Sequence, residues 1–372
     1  MQLSYWEYKT WFSNIDFTVV GSGIVGLSAA LRLRVRFPKA TILVLEKGVL
    51  PQGASTKNAG FACFGSVSEL LSDLKTHTPD EVFDLVKKRV RGLELLRKTI
   101  GDVQLDYQKL GGYELFSQQD SSLFETCTAA IPELNKLLNP LFNKPVFHLK
   151  ETNFGFENVQ KKFIYNAFEG QLDTGKMMQA LLKKCKQADI QILNGIAVTG
   201  FEDDGDQVAL TIGNFYFKTK KLCIATNGFS KQLGFDEVKP ARAQVLVTEP
   251  IINLKVRGTF HLDEGYYYFR NINNRILLGG GRNLDFKTEE TAQFGQTTLV
   301  QEKLEALLKE VILPGRDVQV DYYWSGIMGV GNQKKPIVKQ VSKNVFCGIR
   351  LGGMGVAIGS MVGQELVDLI ED

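Results

Sequence analysis

The hydrophobic pattern at the start of the chain predicts a strand, a turn, a helix and a second strand. Asp16 to Val20 is a short run rich in β-branched residues, and Leu27 to Phe37 carries apolar residues at helical spacing until Pro38. Thr41 to Leu45 is almost entirely apolar, as buried parallel strands are. This order is typical of the opening of a parallel sheet, so an α/β fold is expected.

The same patterns continue along the rest of the chain, without an internal repeat. Helical spacing predicts helices at about 80–100, 120–140, Thr174–Cys185, 297–311 and Gly359–Ile370. Runs rich in β-branched and aromatic residues predict strands at Ile190–Leu193, Ile196–Phe201, Val208–Ile212, Phe215–Thr219, Lys221–Ala225, Ala243–Val247, Tyr266–Phe269, Ile276–Leu278 and Val345–Gly348. The aromatic opening residues are expected to pack as an N-terminal arm.

Composition narrows the class of protein. A chain of 372 residues is long enough for about two domains, and its 44 basic and 41 acidic residues give a net charge of only +3. This balance argues against a nucleic-acid partner or a membrane surface. None of the five cysteines lies in a C-x-x-C pair and the three histidines are isolated, so no metal site is expected. Unpaired cysteines and an N-terminus without a signal-peptide pattern favour the cytoplasm. The uncharged part of the tail is too short to span a bilayer.

A glycine motif follows the first predicted strand. In Gly21-Ser22-Gly23-Ile24-Val25-Gly26, the first glycine permits a tight turn, the second lets backbone approach a pyrophosphate, and the third allows close packing of helix on strand. Glu46, followed by Lys47, ends the next strand at the offset where a carboxylate accepts both ribose hydroxyls. The motif alone is a weak signal, but strand, helix and acid together predict a dinucleotide site for NAD or FAD.

Three later segments favour FAD. The loop Gly53 to Gly60 is rich in small polar residues that can bind a diphosphate and a ribityl chain, and Ala225-Thr226-Asn227-Gly228 ends an interior strand. Cys347 to Val356 is glycine-rich and leads into a helix whose amides can face a flavin ring. The predicted cofactor residues in these segments are Ser55, Thr56, Lys57, Asn58, Ala59, Ala225, Thr226, Asn227, Gly352, Gly353, Met354, Gly355 and Val356.

With these motifs in this order, the chain resembles the D-amino-acid oxidase superfamily of flavoproteins over nearly its whole length. The resemblance rests on GSGIVG, LEKG, GASTKNAG, QLDTGKMMQALLKKCKQADIQIL, IATNGFS and GIRLGGMGVAIG. It implies FAD as the cofactor, with Val198 beside the adenine. The cysteine pattern that tethers flavin in some relatives is missing, which implies non-covalent FAD.

The resemblance also implies the architecture. A Rossmann-type FAD domain with a parallel sheet is expected to comprise residues 1–78, 155–232 and 325–372. A substrate domain built on a mixed sheet is expected to comprise 79–154 and 233–324. The flavin ring would lie where the two meet.

The substrate residues of the family are not matched. Met328 stands where glycine-oxidase-like members carry a carboxylate-binding arginine, and Ala357 stands about where sarcosine-oxidase-like members carry a lysine. An anionic substrate then requires a replacement cation, because an unpaired carboxylate in a dry pocket is costly. We take Arg350, Arg270 and Arg282 as the candidates, with Tyr268 on the strand that would floor the pocket. For each arginine alone, a salt bridge is the commoner role.

The function expected from the resemblance is oxidation of the C–N bond of a small amine or amino acid by FAD. Oxidation of a 2-hydroxy acid or polyol is the first alternative; it needs a general base, for which His261 is the only nearby histidine. A flavin-binding subunit or an RNA-modifying flavoprotein is the second, disfavoured by the near-neutral charge and the lack of an appended domain.

Overall fold

The computed structural model of the protein describes residues 2–371. Within this range the α-helices, numbered α1 to α10, are Tyr5–Trp11, Ile24–Arg36, Val67–Leu74, Pro79–Ile100, Asp102–Leu105, Ser121–Phe142, Thr174–Gln187, Phe286–Glu289, Thr298–Leu307 and Gly355–Asp368. The strands, numbered β1 to β18, are Ile15–Val20, Ile42–Glu46, Phe61–Ala62, Gly112–Glu114, Phe147–Glu151, Lys162–Asn166, Gly170–Gln171, Gln191–Asn194, Gly200–Asp203, Val208–Ile212, Phe215–Ile224, Lys239–Thr248, Thr259–Leu262, Tyr267–Ile272, Arg275–Gly280, Val320–Val330, Ile337–Ser342 and Val345–Ile349.

Most predicted elements are present, and the differences have local causes. The predicted strands Phe215–Thr219 and Lys221–Ala225 are one long strand, β11, because its inner half pairs with β1 while its outer half pairs with β10. Residues 196–199 are irregular, and the strand there begins only at Gly200. The aromatic arm is a short helix, α1, which begins at a capping box on Ser4 and buries none of its own residues.

The first sheet has the order β17-β18-β11-β1-β2-β8, with β10 and β9 added beside β11. Its central strands β18, β11, β1, β2 and β8 are parallel. Strand β2 is buried along its whole length, as its continuous apolar run predicts.

Four neighbouring strands of this sheet end close together along one edge. Val20 at the end of β1 is paired with Leu45 on one side and with Ile224 on the other, and Ile224 is paired with Cys347. The loops that follow these strands therefore meet along one edge of the sheet. In open parallel sheets this carboxyl edge is where ligands bind.

Helices α2, α7 and α10 cover one face of the first sheet in a common hydrophobic cluster. Helix α4 also joins this cluster, because its Gly92 lies directly against the backbone of α10 at Ala357. The contact places the first turn of α10 firmly beside the carboxyl edge.

The second sheet is mixed and has the order β16-β12-β15-β14-β13-β4-β6-β5. Its pairs are antiparallel except for β13 with β4. Its outer face packs on α9 around buried residues such as Phe260, Phe269 and Leu304. The two sheets together give the mixed α/β fold that was predicted.

Two segments differ from the predicted domain boundaries. Strand β6 pairs in the second sheet although 155–232 was expected to be cofactor domain, and β16 stays in that sheet to Val330, beyond the expected boundary at 325. Long antiparallel ladders hold both segments, and such non-local pairing cannot be read from local sequence patterns. The division into two domains remains a prediction.

No helix within residues 2–371 combines the length and the hydrophobicity needed to cross a bilayer. The five cysteines are all free and buried.

We predict that Gly92→Ala destabilises the protein. A Cβ on Gly92 would lie 2.2 Å from the carbonyl oxygen of Ala357, so the two helices must separate. Overpacking of this kind costs roughly 1–3 kcal/mol, which outweighs the gain of at most about 1 kcal/mol from alanine in a helix. Urea unfolding measures the change. The control is Gly200→Ala, where nothing lies within 4 Å of the new Cβ; an unchanged stability of Gly92→Ala would contradict the tight contact.

Candidate active site

A cavity of about 570 Å³ lies between the carboxyl edge of the first sheet and the inner face of the second. It extends from the turn at Gly21 to the side chains of His261 and Tyr268. One continuous space therefore joins the predicted nucleotide site to the predicted substrate face.

The glycine motif forms the turn between β1 and α2. Gly21 has φ of +105°, and a Cβ on Gly26 would lie 1.9 Å from the carbonyl oxygen of Gly21, so no larger residue fits. The hydroxyl of Ser55 accepts the N–H of Ile24 at the start of α2 at 3.0 Å, and a Cβ on Gly23 would lie 2.8 Å from that hydroxyl. A side chain at Gly23 would therefore clash with Ser55, and the glycine leaves the start of α2 uncovered at the cavity wall, where the helix dipole favours an anion.

Glu46 is buried at the end of β2. Its Oε2 accepts hydrogen bonds from the amide and hydroxyl of Ser22, at 3.1 and 2.9 Å, and its Oε1 accepts the amide of Gly48 at 3.0 Å. Oε1 also accepts the amide of Gln52 at 3.4 Å, and together these bonds orient the carboxylate at the cavity wall. Neighbouring Lys47 lies over the ring of Phe229 at 3.3 Å, and burial lowers the pKa of its ammonium.

The loop from Gly53 to Gly60 is held in shape by Asn58. The side-chain amide of Asn58 donates to the carbonyl oxygens of Ala54 and Ser55, and its oxygen accepts the amide of Gly60 and the hydroxyl of Thr174. Its polar atoms are therefore used within the loop. What the loop offers to a ligand is its backbone and the side chains of Ser55 and Lys57.

The last two loops of the edge are joined to each other. Asn227, with φ of +44°, accepts the amide of Leu351 at 3.1 Å. Beyond it, α10 begins at Gly355 and no side chain caps its first turn. Its free amides are therefore positioned for an acceptor in the cavity, where they would favour negative charge.

Most predicted cofactor residues line this cavity. Those that do are Gly21, Gly23, Ile24, Val25, Glu46, Lys47, Ser55, Lys57, Asn58, Ala59, Val198, Ala225, Thr226, Asn227, Gly352, Gly353, Met354, Gly355 and Val356. Ser22, Gly26 and Thr56 do not line it; Ser22 supports Glu46 from behind, and Thr56 donates to the carbonyl oxygen of Pro51. These three act on the shape of the site.

The substrate side of the cavity is formed by one face of the second sheet. Paired positions on that face form the row Glu114, His261, Tyr268, Gly279, Val245 and Trp324. Gly279 leaves the space that the ring of Tyr268 fills. Burial raises the pKa of Tyr268 to about 12, so its phenol stays protonated at neutral pH.

His261 lies among three carboxylates. Its Nε2 is 3.0 Å from the buried Glu169, and its Nδ1 is 4.0 Å from Glu69 on α3. Burial alone would lower the pKa of His261, but the charge and hydrogen bond of Glu169 and the charges of Glu69 and Glu114 raise it to about 9. At neutral pH this residue is an imidazolium whose protons face carboxylates.

The three candidate arginines lie in different environments. Arg350 is buried and lines the cavity, whereas Arg282 lies at its rim over the rings of Tyr266 and Phe286.

Arg270 does not line the cavity. It donates to the carbonyl oxygens of Ala59 and Leu172, so it clamps the loop that ends at Gly60. It shares a face with Tyr268 but lies two residues further along β14, where this loop covers the sheet.

Residues 16–369 match the family model described as DAO, FAD dependent oxidoreductase. The chain belongs to this family. Probable oxidoreductase OrdL of Haemophilus influenzae is 20% identical over 394 aligned residues, which cover 97% of this chain and 84% of that protein.

Solved structures of similar fold include glycine oxidase from Geobacillus kaustophilus, with a TM-score of 0.77, 16% identity and coverage of 96% of this chain and 95% of that one. L-Proline dehydrogenase from P. horikoshii has a TM-score of 0.74 and 17% identity, over 96% of this chain and 93% of that one. At these identities the likeness shows the fold.

The residues of the carboxyl edge fit the cofactor of the FAD dependent oxidoreductases. The uncovered backbone at Gly23 before α2 suits a diphosphate, Glu46 suits a ribose, and the uncapped start of α10 suits the electron-rich edge of a flavin. All three lie on one cavity.

Several residues that line the cavity were not predicted from the sequence, although two sequence patterns indicate them. Arg89 stands on the buried stripe of α4, in line with Val82, Val86 and Leu93, where an apolar residue is expected. In α3 and the turn after it, Glu69, Ser72, Asp73 and Thr76 recur at helical spacing and line the cavity as a polar stripe.

We predict that Glu46→Gln weakens FAD binding by about 10- to 100-fold, because each charged hydrogen bond to a ribose hydroxyl contributes roughly 1.5–3 kcal/mol. Titration of the flavin-free protein with FAD measures the change. Asp16→Asn, at the opposite end of the same strands and paired with Lys220, is the matched control. Equal affinities of the two variants would place the ribose elsewhere.

We also predict a pH-dependent contribution of His261 to stability. Its pKa of about 9 in the folded protein exceeds the ordinary value of 6.5, so the contribution is complete below about pH 6.5 and is lost as pH rises through 9. The stability lost in His261→Gln should be greater at about pH 6 than at about pH 10, by on the order of 2–3 kcal/mol. Urea unfolding at both pH values tests this, with His148→Gln on β5 as the control. A pH-independent difference would contradict the imidazolium.

Proposed function

We propose that this member of the FAD dependent oxidoreductases binds FAD non-covalently and oxidises the C–N bond of a small amine or amino acid. The observation that carries the proposal is the single cavity that joins the nucleotide-binding turn at Gly21 to the face carrying His261 and Tyr268. A flavin that extends through this space would place its ring between the carboxyl edge and the second sheet.

The names of the similar structures support the amino-acid substrate. Glycine oxidase and L-proline dehydrogenase are named for reactions at a carbon that bears nitrogen. The present chain has a similar fold over nearly its whole length.

The charge on His261 favours an amine over a 2-hydroxy acid. Oxidation of an alcohol requires a base that removes the hydroxyl proton. The neighbouring carboxylates raise the pKa of His261 to about 9, and its Nε2 lies 3.0 Å from Glu169, so the ring is a poor proton acceptor at neutral pH. An amine that enters as the free base needs no such base, because its lone pair assists the departure of hydride from the neighbouring carbon.

When bound, FAD would accept a hydride from the carbon attached to nitrogen, which leaves an imine. The residues of the chain position the substrate and exclude water. Tyr268 and Phe61, whose rings meet edge to face at 5.6 Å, form an apolar wall with Val245 and Met328. The Tyr268 hydroxyl is a neutral donor, and the N–H groups at the start of α10 favour the negative charge that develops on a reduced cofactor.

We predict that the purified protein is yellow and releases its FAD on acid precipitation. Among the described residues Cys63 is the cysteine that lines the cavity, and burial together with Glu169 and Glu69 raises its thiol pKa well above the ordinary value. A thiol kept protonated is a poor nucleophile toward the flavin ring. Absorbance of the supernatant measures release. Colour that stays with the precipitate would show a covalent link.

We predict that amines or amino acids, and not 2-hydroxy acids, bleach the bound flavin under anaerobic conditions. The substrate panel pairs each amino acid with the hydroxy acid of the same skeleton, so that only the nitrogen differs. Rates of absorbance loss are compared with those of the Tyr268→Phe variant, which keeps the ring and lacks the donor. Faster bleaching by the hydroxy acids would overturn the proposed substrate class.

A further inference from the structure

Two arginines that lie far apart in sequence are buried at the same part of the cavity. Arg89 on α4 and Arg350 after β18 are 5% and 6% exposed, and both line the cavity. Geometry links the two: Arg350 donates to the carbonyl oxygen of Gly331, and Lys334, in the same loop, is paired with Asp73, which lies 4.0 Å from Arg89. Burial and the positive charge of Arg89 lower the pKa of Arg350 to about 10. Like charges in a low-dielectric site are costly unless something offsets them.

The protein supplies only part of the negative charge needed to compensate the two arginines. Asp73 lies 4.0 Å from the Nη2 of Arg89, and the same carboxylate is ion-paired with Lys334. Three cationic side chains, Arg89, Arg350 and Lys334, thus face one carboxylate. Within residues 2–371, the Nε of Arg89 and the Nε of Arg350 are buried without a hydrogen-bond partner.

Backbone contacts hold the two guanidinium groups in place. Arg89 donates from Nη1 to the carbonyl oxygen of Phe64 at 2.8 Å, and Arg350 donates from Nη2 to that of Gly331 at 3.2 Å. Arg350 also has φ of +64°, a strained conformation for a long side chain. A buried donor without a partner requires an explanation, such as a ligand, and strained backbone of the kind found at Arg350 clusters at functional sites.

We propose that Arg89 and Arg350, assisted by Lys334, form an anion subsite that binds a carboxylate of the substrate. This subsite deepens the proposed function and rests on it, since it identifies the substrate as an amino acid and not a simple amine. Guanidinium groups suit a carboxylate because each can donate two parallel hydrogen bonds. The diphosphate of FAD is not the anion, since its proposed place at Gly23 follows β1, whereas Arg350 follows β18, two strands away in the sheet.

The test measures binding of small carboxylates to the holoprotein without turnover. Acetate, pyruvate and benzoate are titrated against the neutral acetamide and benzamide, and binding is followed by the visible spectrum of bound flavin and by Tm. We expect the carboxylates to bind, to shift the spectrum and to raise Tm. Carboxylates that bind no more tightly than the amides would overturn the inference.

Variants then locate the subsite. Arg89→Met and Arg350→Met should each weaken carboxylate binding by about 30-fold or more, as expected when one partner of a buried charge pair is removed, and leave the weak binding of amides unchanged. Arg89→Lys should restore part of the affinity. Asp73→Asn should tighten carboxylate binding, because it removes a carboxylate that competes for these cations; a purely structural role of the cluster predicts no such gain.

Two controls separate this site from its surroundings. Arg32→Met removes a surface arginine paired with Asp368 and should change nothing. Arg282→Met alters the rim of the cavity, where the guanidinium is partly exposed over Tyr266 and Phe286, and should leave carboxylate affinity within about 3-fold, since partly solvated charges contribute little. Loss of binding in Arg282→Met, with normal binding in Arg89→Met, would move the anion to the rim and overturn the proposal.

Failure of the proposed function gives a different result. If the protein holds no flavin, or if amino acids do not bleach it, while carboxylates still raise Tm through Arg89 and Arg350, the anion subsite stands and the oxidation is wrong. If flavin is bleached by amino acids while carboxylate binding is unaffected by both arginine variants, the oxidation stands and the subsite is wrong.

Discussion

Four parallel strands of the first sheet end close together along one edge. The positions of the loops that line the cavity depend on the register of these strands. The hydrogen bonds of a parallel ladder fix neighbouring strand ends to within one residue. Gly21 continues the ladder by donating to the carbonyl oxygen of Leu45, and Ala225 does so by donating to that of Val20. A shift of one residue would turn the side chain of Glu46 to the opposite face. The position of the carboxylate is therefore a property of the whole sheet.

The second constraint is the free energy of buried charge. His261, Glu169, Arg89 and Arg350 are all nearly inaccessible to water, where an isolated charge is unstable. Around His261 the protein supplies the compensating charges itself, and the result is a fixed imidazolium. Around the two arginines the compensating negative charge is incomplete, so an anionic ligand would be stabilised in that part of the cavity. The free energy of burying charge thus explains both the ion cluster around His261 and the preference for an anion proposed at Arg89 and Arg350.

Sequence patterns predicted the first sheet better than the second, for physical reasons. Strands such as Thr41–Leu45, and the motif from Gly21 to Gly26, carry their signal within a few residues. The position of Arg270 depends instead on a loop more than 200 positions earlier that covers it, and no local pattern encodes that contact. Arg89 lies between these cases. Its place on an apolar stripe marks it as unusual in the sequence, but only the fold shows that it lies near Arg350.

The loop from Gly53 to Gly60 is attached to the second sheet at two points. Arg270 on β14 donates to the carbonyl oxygen of Ala59, and Trp324 on β16 donates from Nε1 to that of Lys57 at 3.0 Å. The loop also forms part of the wall facing the nucleotide end of the cavity. A ligand that contacts the loop is therefore coupled to strands β14 and β16. By reciprocity, a ligand bound on these strands and a ligand bound at the loop change each other's affinity by the same factor.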